Sequence, residues 1–584
     1  MSNAIEGICL DMSQQAEDIY LQPSSLGVMD QLRFFKLHNS VDNINKVYVS
    51  HRLRLSSISP ELRYVCWYGC PSESLQPNFL SKNLVALDMP HSHIDQLRSS
   101  VQLVNLKRID LSFSKRLRSQ DLSLTPNVKI LVLEGCTSLH EISSSIHGCK
   151  YELQMLNLRH CRSLESLPTD IYVASFEKVI FSGCSKLKQF PQASWDMKEI
   201  YLDETAIEDL PSSIENLSRL VILNLKDCSL LRRLPSNIYQ LKSLQYLNLS
   251  GCLKLDGLPD KLENLEALRV LKAERVATRE VPTSILNLRC LEELDLTNCS
   301  IVKLPNNLGQ LSSLKSLLLG RNFFNRIPES IEHLSELSYL DVSYCKRLQF
   351  LPKLPSKLDN INANNCISLI EQNFLLRVFS YSIRFNFSNC FKLNQNSCSE
   401  ITRVIMGQFQ ISAIRQVSRG LGQEIFLETD RSYFCFRGSE IPAWFTVRAT
   451  GSSVRYPRPN FCSSELSAFL ICVVVEFRDY NKDQGLEIGL DWLLEREDGA
   501  EEVFHGTWSV WDNGTGPDHV ESDHVFLGFY PAFKFDDPLL PRDKRYCGIR
   551  IRFLVQNSFT ERLDYCNVKE CGFSVLVNTI NRAR

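Results

Sequence analysis

Apolar residues recur along this chain with the spacing of short strands. From Leu62 onward, a unit of about 21 to 25 residues reads Leu-x-x-Leu-x-Leu-x-x-Cys-x-x-Leu-x-x-Leu-Pro, with Val, Phe or Met in some first positions. Its first nine residues alternate as a strand does, and its second half predicts a loop or a helical turn that often ends in Leu-Pro. The units start at Leu62, Leu84, Leu106, Val128, Leu153, Phe176, Met197, Leu220, Leu244, Leu268, Leu291, Leu314, Leu337 and Leu358, and a degenerate last copy runs through Phe385, Phe387 and Cys390.

This repeating unit is the signature of a leucine-rich repeat, which predicts an α/β solenoid in the shape of a horseshoe. Stacking places the strands in one parallel sheet on the concave face, with the leucines inside. No unit can bury its apolar face alone, so the array is stable only as a stack. A long, curved surface of this kind usually binds a partner, and catalysis is less typical of it.

The pattern divides the chain into four regions. Residues 1–61 are predicted to cap the repeat array or to begin it, and residues 62–395 to form about 14 to 15 repeats. Residues 396–430 are predicted to connect two domains, with a helix over 400–417. In residues 431–584, short apolar runs alternate with Gly, Pro, Asn and Asp, which predicts an all-β sandwich or jelly roll.

Composition and charge are those of a folded protein without a strong bias. The 584 residues are 44% hydrophobic and 23% charged, and the formal net charge is −2. That balance disfavours nucleic acid or an anionic membrane as a partner. The first residues lack the basic and apolar segments of a signal peptide, and no apolar run is long enough to span a bilayer. We therefore expect an intracellular protein in the cytoplasm, with the nucleus as a second compartment.

Many of the 21 cysteines occupy one position of the repeat, the ninth residue. That position takes Asn or Cys in leucine-rich repeats and faces inward just after the strand. A buried free cysteine there acts as a small apolar residue with a weak S–H donor. The periodic placement therefore predicts reduced structural thiols and argues against disulfides and metal binding. These cysteines are Cys70, Cys136, Cys161, Cys184, Cys228, Cys252, Cys299, Cys345, Cys366 and Cys390.

Signals for catalysis are poor throughout the chain. His140 and Glu141 with His147 do not make the H-E-x-x-H zinc motif, because the second histidine lies too far along the chain. Cys66 and Cys70 lack a second Cys or His pair at ligand spacing. The sequence contains no G-x-x-x-x-G-K-[ST] phosphate loop. We predict no catalytic residue, no cofactor and no metal ion, and hence no enzyme activity for this chain.

The outward positions of the strands are the candidate binding residues. In Leu-x-x-Leu-x-Leu-x-x-Cys, the third, fifth, seventh and eighth residues point away from the core. Aromatic and arginine side chains on a rigid face dominate interface energies, although fewer than about 30% of contact residues usually matter. The alternative is that most of these side chains are solvated and bind nothing. The candidates are Arg159, His160, Tyr201, Asp203, Glu204, Lys226, Asp227, Tyr246, Lys272, Glu274, Arg275, Arg321, Tyr339, Asp341 and Tyr344.

Charge along these positions is mixed. An acidic group runs from Tyr201 to Glu204, and a basic group runs from Lys272 to Arg275. The two groups would suit a protein partner of mixed charge. Because they form no basic stripe, nucleic acid is disfavoured.

Motifs beyond the repeat pattern stand at three places: AIEGICLDMS, then ELRYVCWYGCPSESLQPNF with NLVALDMPHSHIDQL, and FRGSEIPAWFTVRATGSSV. They resemble plant disease resistance proteins of the Toll/interleukin-receptor, nucleotide-binding, leucine-rich-repeat class. The first resembles the segment after the nucleotide-binding module, the second the first repeats, and the third the signature of a jelly-roll/immunoglobulin-like domain. Arg437, Val447, Gln76 and Arg98 depart from the family pattern in local loops. The signature residues are Gly438, Glu440, Ile441, Pro442, Trp444 and Phe445.

The signature segment has a structural and a functional interpretation. We expect Pro442 to fix a turn and both Trp444 and Phe445 to pack in the sandwich core, because burial is the common use of aromatic residues. The resemblance implies that this domain contacts pathogen effectors together with the repeats. Those contacts are expected from its loops, at Thr450–Asn460 or Asp512–Asp523, because loops on rigid scaffolds carry recognition.

The resemblance also implies a role in plant innate immunity. It makes the chain the ligand-sensing and autoinhibitory half of an intracellular receptor, whose partner is a pathogen effector or a guarded host protein. The NAD-cleaving Toll-like domain and the nucleotide-binding domain of such receptors are expected to be absent from this chain and to act with it in cis or in trans. The alternatives are a truncated relative that acts as a decoy or as a partner in trans, and a generic repeat scaffold or adaptor.

Overall fold

The computed structural model of the protein forms two compact units, Met1–Thr278 and Arg279–Arg584, and we describe each unit separately. The predicted domain boundaries after residues 61, 395 and 430 stay predictions. The structure describes residues 5–11, 19–21, 29–38, 47–49, 59–71, 73, 80–97, 99, 101–142, 153–167, 176–190, 197–259, 261–372, 383–393, 402, 407, 432–457, 466–478, 480, 485–496, 499–511, 516–520, 522–531, 546–557, 559–563 and 566–577.

Short strands follow one another through the first unit. Within each strand, successive side chains point alternately outward and inward, as the two-residue period of a strand predicts. The strands are Gly7–Asp11 (β1), Ile19–Leu21 (β2), Phe34–His38 (β3), Val47–Val49 (β4), Tyr64–Trp67 (β5), Ala86–Asp88 (β6), Arg108–Asp110 (β7), Ser119–Gln120 (β8), Ile130–Val132 (β9), Glu141–Ile142 (β10), Met155–Asn157 (β11), Lys178–Ile180 (β12), Glu199–Tyr201 (β13), Ile222–Asn224 (β14), Tyr246–Asn248 (β15) and Val270–Lys272 (β16).

The described pairings of the first unit are parallel. Strands β1, β3, β5, β6, β7 and β9 pair in this order, and β11 to β16 continue from β9. Strand β2 pairs with β4, and β8 pairs with β10, in two further small sheets. Because β1 and β3 stack in register on β5, residues 1–61 already contribute strands to the array.

Leucines at the first, fourth and sixth positions of each repeat hold the stack together. In one repeat, Leu244, Leu247 and Leu249 are fully buried, and Leu247 lies opposite Leu223 of the preceding strand. Burying one leucine contributes about 1.5–3 kcal/mol. The leucines meet those of neighbouring repeats, so the stability of each strand depends on the strands beside it. The predicted parallel solenoid with inward leucines is confirmed.

Residues at the ninth position of the repeats form hydrogen bonds from one repeat to the one before it. The Sγ of Cys228 donates to the carbonyl of Leu202 at 3.0 Å, and the Sγ of Cys252 donates to the carbonyl of Leu225 at 3.2 Å. Asn322 fills the same position in a later repeat and donates its Nδ2 to the carbonyl of a residue in the repeat before it at 2.8 Å. The predicted cysteines at this position are buried and unbridged, so that prediction is confirmed.

In the regular described repeats, the second half forms a 3₁₀ turn, which fits a shorter segment than an α-helix would need. Pro211, Pro282 and Pro328 directly precede such turns, with φ of −68°, −56° and −62°. The pyrrolidine ring fixes φ near these values, so proline starts the turn without strain. The turns are Ser212–Asn216, Ile238–Gln240, Leu262–Asn264, Thr283–Asn287, Leu308–Gln310 and Glu329–His333.

The second unit begins with further repeats. Strands β17, β18, β19, β21 and β23 pair in parallel in this order, and β20 pairs with β22 at the side. The predicted helix over 400–417 falls outside the described residues except at Thr402 and Gly407, which are helical. The strands are Glu293–Asp295 (β17), Ser316–Leu318 (β18), Tyr339–Asp341 (β19), Phe350–Leu351 (β20), Asn360–Asn362 (β21), Glu371–Gln372 (β22) and Arg384–Phe387 (β23).

The remainder of the second unit is built from longer strands. They are rich in β-branched and aromatic residues, which favour extended backbone. The strands are Tyr433–Arg437 (β24), Val447–Thr450 (β25), Ser453–Pro457 (β26), Leu466–Phe477 (β27), Leu486–Arg496 (β28), Glu501–Trp511 (β29), His524–Pro531 (β30), Tyr546–Gln556 (β31) and Cys566–Val577 (β32).

These strands form two antiparallel sheets with a shared apolar core. One sheet has the order β24, β30, β27, β32, β25, and the other has the order β26, β31, β28, β29. Phe469, Trp492, Trp508, Trp511 and Phe573 are buried in the core. Strand β24 also pairs in parallel with β23, the last repeat strand. The β domain thus continues directly from the repeat sheet inside this unit.

Candidate protein-binding surface

Each unit presents rows of side chains on the strand side of its repeats. We call this surface the strand face, and it consists of the third, fifth, seventh and eighth residues of each repeat. In-register pairing places equivalent residues side by side, and Tyr201 lies opposite Asn224. All the predicted strand-face residues are at least partly exposed. Those from Arg159 to Arg275 lie in the first unit, and those from Arg321 to Tyr344 lie in the second.

The eighth position of the described repeats has a left-handed backbone. The φ angle is 58° at His160, 59° at Glu204 and 56° at Asp227. For a residue with a Cβ this conformation costs roughly 1–2 kcal/mol. The stack offsets the cost, because the N–H of Glu204 donates to the carbonyl of Lys226 at 2.8 Å in the next repeat. The repeats therefore hold the eighth side chains in fixed directions.

Two predicted binding residues of the first unit are paired with each other. The Nη2 of Arg275 donates to the Oδ1 of Asp227 at 2.8 Å, across the intervening repeat. That repeat has Gly251 at its eighth position, with φ of 75°, and a Cβ there would collide with the Asp227 carboxylate. We call Asp227, Gly251 and Arg275 the clasp. Glycine is needed at its centre so that the ion pair can cross.

Tyr201 lies among charged neighbours that fix its ring. Lys178 forms an ion pair of 2.7 Å with Glu199, and its Nζ lies 5.2 Å from the centre of the Tyr201 ring. The Tyr201 hydroxyl donates to Glu199 at 3.2 Å. Burial, followed by the nearby carboxylate of Glu199, raises the pKa of Tyr201 to about 12, so the phenol stays neutral. Asp203 accepts a hydrogen bond from Asn224 at 2.8 Å. This part of the strand face is rigid and amphipathic.

The fifth position has a structural task in several repeats. The Oδ1 of Asp341 accepts the N–H of Ser343 at 2.7 Å, and the Oδ1 of Asn248 accepts the N–H of Ser250 at 3.0 Å. Such bonds close the turn after the strand. Burial raises the pKa of Asp341, and the hydrogen bonds oppose that shift. Asp341 and its counterparts shape the turn, and a binding role for Asp341 stays a prediction.

In the second unit, two predicted binding residues contact the β domain. The Nη2 of Arg321 donates to the Oδ2 of Asp518 at 3.0 Å, and the guanidinium lies 4.1 Å from the centre of the Tyr344 ring. The Tyr344 hydroxyl accepts the N–H of Asp518 at 2.6 Å. Arg321 and Tyr344 are eighth-position residues of adjacent repeats. We call the contact among Arg321, Tyr344 and Asp518 the latch.

A second contact lies deeper at the same edge. The N–H of Asn389, an eighth-position residue, donates to the Nε2 of His524 at 3.0 Å, and the Asn389 Nδ2 donates to the carbonyl of His519 at 2.6 Å. The His524 Nδ1 lies 2.7 Å from the carbonyl of Ser522 and therefore carries the proton. Burial lowers the pKa of His524 to about 4, so the ring is neutral. We call the contact between Asn389 and His524 the anchor.

Asp518, Asn389 and His524 were not among the residues predicted from the sequence. Asn389 could have been predicted from the sequence as a strand-face residue, because it lies at the eighth position of the degenerate last repeat. Asp518 and His524 belong to no repeat and carry no periodic signal. Asp518 does fall within the predicted recognition segment 512–523, of which the structure describes 516–520 and 522–523.

The signature segment is partly buried against the β domain. A Cβ on Gly438 would lie 2.8 Å from a methyl group of Val525, which explains a glycine at this point. Ile441 is buried, and its N–H donates to Glu570 at 3.1 Å. Glu440 is exposed, and the neighbouring proline is partly exposed. The segment is therefore fixed in place by its apolar and backbone groups.

The two aromatic residues of the signature differ in burial. Phe445 is 2% exposed, which confirms the expected packing for that residue. Trp444 is 37% exposed, so the prediction that it packs in the core is wrong. Its ring stacks on Phe445 with the ring centres 4.1 Å apart, and Phe445 alone fills the space below. Trp444 is thus an exposed aromatic residue on this domain.

Several cysteines of the described residues are buried. Burial raises the pKa of Cys136 and of Cys571 to about 12, which keeps both thiols protonated and unreactive. Within the described part of the chain, no group of three or more His, Cys, Asp or Glu side chains could hold a metal ion. No helix there is long and apolar enough to cross a bilayer. His147 of the rejected zinc motif lies outside the described residues.

The repeats and the strand face define a leucine-rich-repeat protein. Residues 172–396 match the family model described as "Disease resistance protein RPS4B-like, leucine-rich repeats". The chain is 31% identical to Disease resistance protein RPS4B of Arabidopsis thaliana, over 98% of this chain and 45% of that protein. It is 33% identical to Disease resistance protein RPP2B of the same plant, over 98% of this chain and 51% of that protein.

A third relative, Disease resistance-like protein CSA1 of Arabidopsis thaliana, is 33% identical over 91% of this chain and 43% of that protein. The chain is a leucine-rich-repeat relative of these plant disease resistance proteins. It spans about half the length of the relatives it matches. The predicted resemblance to plant disease resistance proteins with leucine-rich repeats is confirmed. The resemblance of the signature segment to a jelly-roll/immunoglobulin-like domain stays a prediction.

Proposed function

We propose that the chain is the ligand-sensing and autoinhibitory half of an intracellular plant immune receptor, which recognises a pathogen effector or a guarded host protein by protein–protein binding. The observation that carries the proposal is the strand face, where strained eighth positions hold charged and aromatic side chains in fixed, exposed directions. Preorganised side chains lose little entropy on binding. Similarity to disease resistance proteins over nearly the whole chain supports the same function.

The proposed site in the first unit is the region around Tyr201 and Tyr246. Tyr201 is fixed by Lys178 and Glu199, and Tyr246 accepts a hydrogen bond from Asn248 at 3.2 Å. Partly exposed tyrosines with polar neighbours are frequent centres of interfaces. In the clasp, the charges of Asp227 and Arg275 are paired with each other, so the partner needs no strong net charge at these two residues.

The C-terminal β domain, residues 431–584 in this proposal, corresponds to the jelly-roll/immunoglobulin-like domain implied by the signature. Its exposed Trp444 offers a further contact for the partner. Nucleotide-binding and Toll-like domains, in cis or in trans, would turn binding into a signal in the cytoplasm or the nucleus. The chain itself is proposed to be no enzyme, and incubation with NAD should give no turnover above a buffer control.

A binding experiment with matched variants tests the proposal. The purified chain is titrated against a panel of secreted effector proteins from plant pathogens, and each interaction is measured by biolayer interferometry. Tyr246→Ala and Lys226→Glu change the strand face, whereas Lys254→Glu changes an exposed residue off the strand face. A genuine effector should lose at least tenfold in affinity with the Tyr246→Ala variant, because a central aromatic hot-spot residue is worth about 2 kcal/mol or more.

Two results would count against the proposal. One is that the off-face variant weakens an effector as much as the strand-face variants do. The other is that no effector or guarded host protein in a broad panel binds while the folded chain binds an unrelated scaffold partner. The second result would favour an adaptor or a partner in trans.

A further inference from the structure

The contact between the last repeats and the β domain has two layers that differ in burial. In the latch, the side chains of Arg321 and Asp518 are 45% and 40% exposed. In the anchor, His524 is fully buried and Asn389 is 3% exposed. Both layers lie inside the second unit. The first is open to water and ions, and the second is closed to them.

The two layers also differ in how they can open. An exposed ion pair contributes little, and salt screens it. Asp518 contacts Arg321 through this pair and the Tyr344 hydroxyl through its N–H. The anchor, in contrast, sits beside strand β24, which pairs with β23 through residues 384–387 and with β30 through residues 524–528. Opening the anchor would leave buried polar groups without partners, which is costly.

The latch also covers part of the candidate binding surface. Arg321 and Tyr344 are outward eighth-position residues, the same type as Asp227 and Arg275 in the first unit. In the second unit their polar atoms are occupied by Asp518. A partner that uses either residue must first displace this carboxylate and its backbone N–H.

We propose that Asp518 is an autoinhibitory latch: its carboxylate pairs with Arg321, its N–H donates to the Tyr344 hydroxyl, and both contacts open while the β domain stays docked through the anchor. Its neighbours stay in place, because Val520 is buried in the β domain and the carbonyl of His519 accepts the Asn389 Nδ2. The regulatory meaning rests on the proposed function, because it supposes that a partner uses this part of the strand face. The latch itself does not depend on that function. The geometry assigns the site a chemistry, a side-chain carboxylate next to its own backbone N–H.

The test measures hydrogen–deuterium exchange in the full chain alone, without any effector. In Asp518→Asn, the peptide 516–520, in which residue 518 carries the N–H that donates to Tyr344, should exchange up to about fivefold faster, the range set by an exposed ion pair. The same increase is expected for wild-type protein in about 1 M salt. Amides of β24 and β30 should keep their wild-type exchange. Asp491→Asn, the same substitution at an Asp paired with His505 in the other sheet, serves as the matched control and should leave 516–520 unchanged.

A charge swap separates the pair from general damage. Arg321→Asp should speed exchange in 516–520, and combining it with Asp518→Arg should restore protection. The proposal is overturned if Asp518→Asn and high salt leave the exchange of 516–520 unchanged. It is also overturned if 516–520 and the anchor strands gain exchange together, because the two layers would then open as one. Absence of effector binding would refute the proposed function without altering either result.

Discussion

The side chains at the eighth positions of the repeats contact different partners in the two units. In the first unit, Asp227 and Arg275 pair with each other across Gly251, so the repeats supply both sides of the contact. In the second unit, Arg321 and Tyr344 contact Asp518, which lies far along the chain in the β domain. The same backbone position therefore serves as an internal clasp in one unit and as a docking point in the other.

This difference shows that stacking fixes the backbone of the eighth position but leaves the choice of its side chain free. The left-handed backbone of the eighth position follows from stacking, since its N–H must reach the next repeat. The side chain is free of that constraint and points outward. Evolution can use it for a contact within the repeats, with another domain of the same chain, or with a separate protein.

The largest expected effect comes from breaking the join between repeats and β domain. Phe434 of β24 is fully buried, with its ring 5.9 Å from Phe387 of the last repeat strand and 5.0 Å from Phe436. Phe434→Ala should lower the free energy of unfolding of the second unit by about 3–5 kcal/mol, because it leaves a cavity. Urea titration followed by tryptophan fluorescence measures the change. Phe113→Ala, at an exposed eighth position, should cost much less.

The next effect is a pH dependence that the anchor histidine contributes. The folded pKa of His524 is about 4, below its ordinary value near 6.5, so the unfolded state takes up the proton first as pH falls. The stabilisation is complete above about pH 6.5 and is lost as pH falls towards about 4. We expect a loss of about 2 kcal/mol between about pH 7 and about pH 5.

Urea midpoints of the second unit at the two pH values measure this loss. His524→Gln keeps an acceptor for the Asn389 N–H but cannot be protonated, so it should flatten the pH dependence. A wild-type and a variant protein with the same pH profile would show that the anchor histidine is not neutral and buried in the folded chain.

A smaller effect is expected at the centre of the clasp. Gly251→Ala adds a Cβ at φ of 75° that collides with the Asp227 carboxylate. The expected cost is about 1–2 kcal/mol of strain, together with loss of the ion pair. Gly499→Ala is the matched control, because Gly499 has φ of 81° with open space around the added Cβ. If both variants lose equal stability, the crossing of the ion pair over Gly251 contributes nothing.

The smallest effect is expected from the clasp ion pair itself. Asp227→Asn should cost no more than about 1 kcal/mol, because both side chains are partly exposed. The loss should disappear in about 1 M salt, where the pair is already screened. Thermal unfolding at low and high salt measures it. A loss that is unchanged by salt would mean that the hydrogen-bond geometry of Asp227, and not its charge, matters.

The sequence predicted the repeated part of the fold well. Buried leucines such as Leu247, the ninth-position thiols and the outward placement of Tyr201 all follow from a fixed period. The period could not predict the exposure of Trp444, since two adjacent aromatic residues compete for one buried space. Nor could the repeat period predict that Asp518 pairs with Arg321, because a contact between a repeat and a non-repeating segment has no periodic signal.

One measurement tests the central claim, that the strand face is the protein-binding surface. Hydrogen–deuterium exchange of the chain is compared with and without a bound effector. We expect the bound effector to slow exchange in the strand-face peptides that cover residues 199–204, 222–227 and 246–251. Protection confined to the 3₁₀ turns at 212–216 and 238–240, with the strand face unchanged, would contradict it.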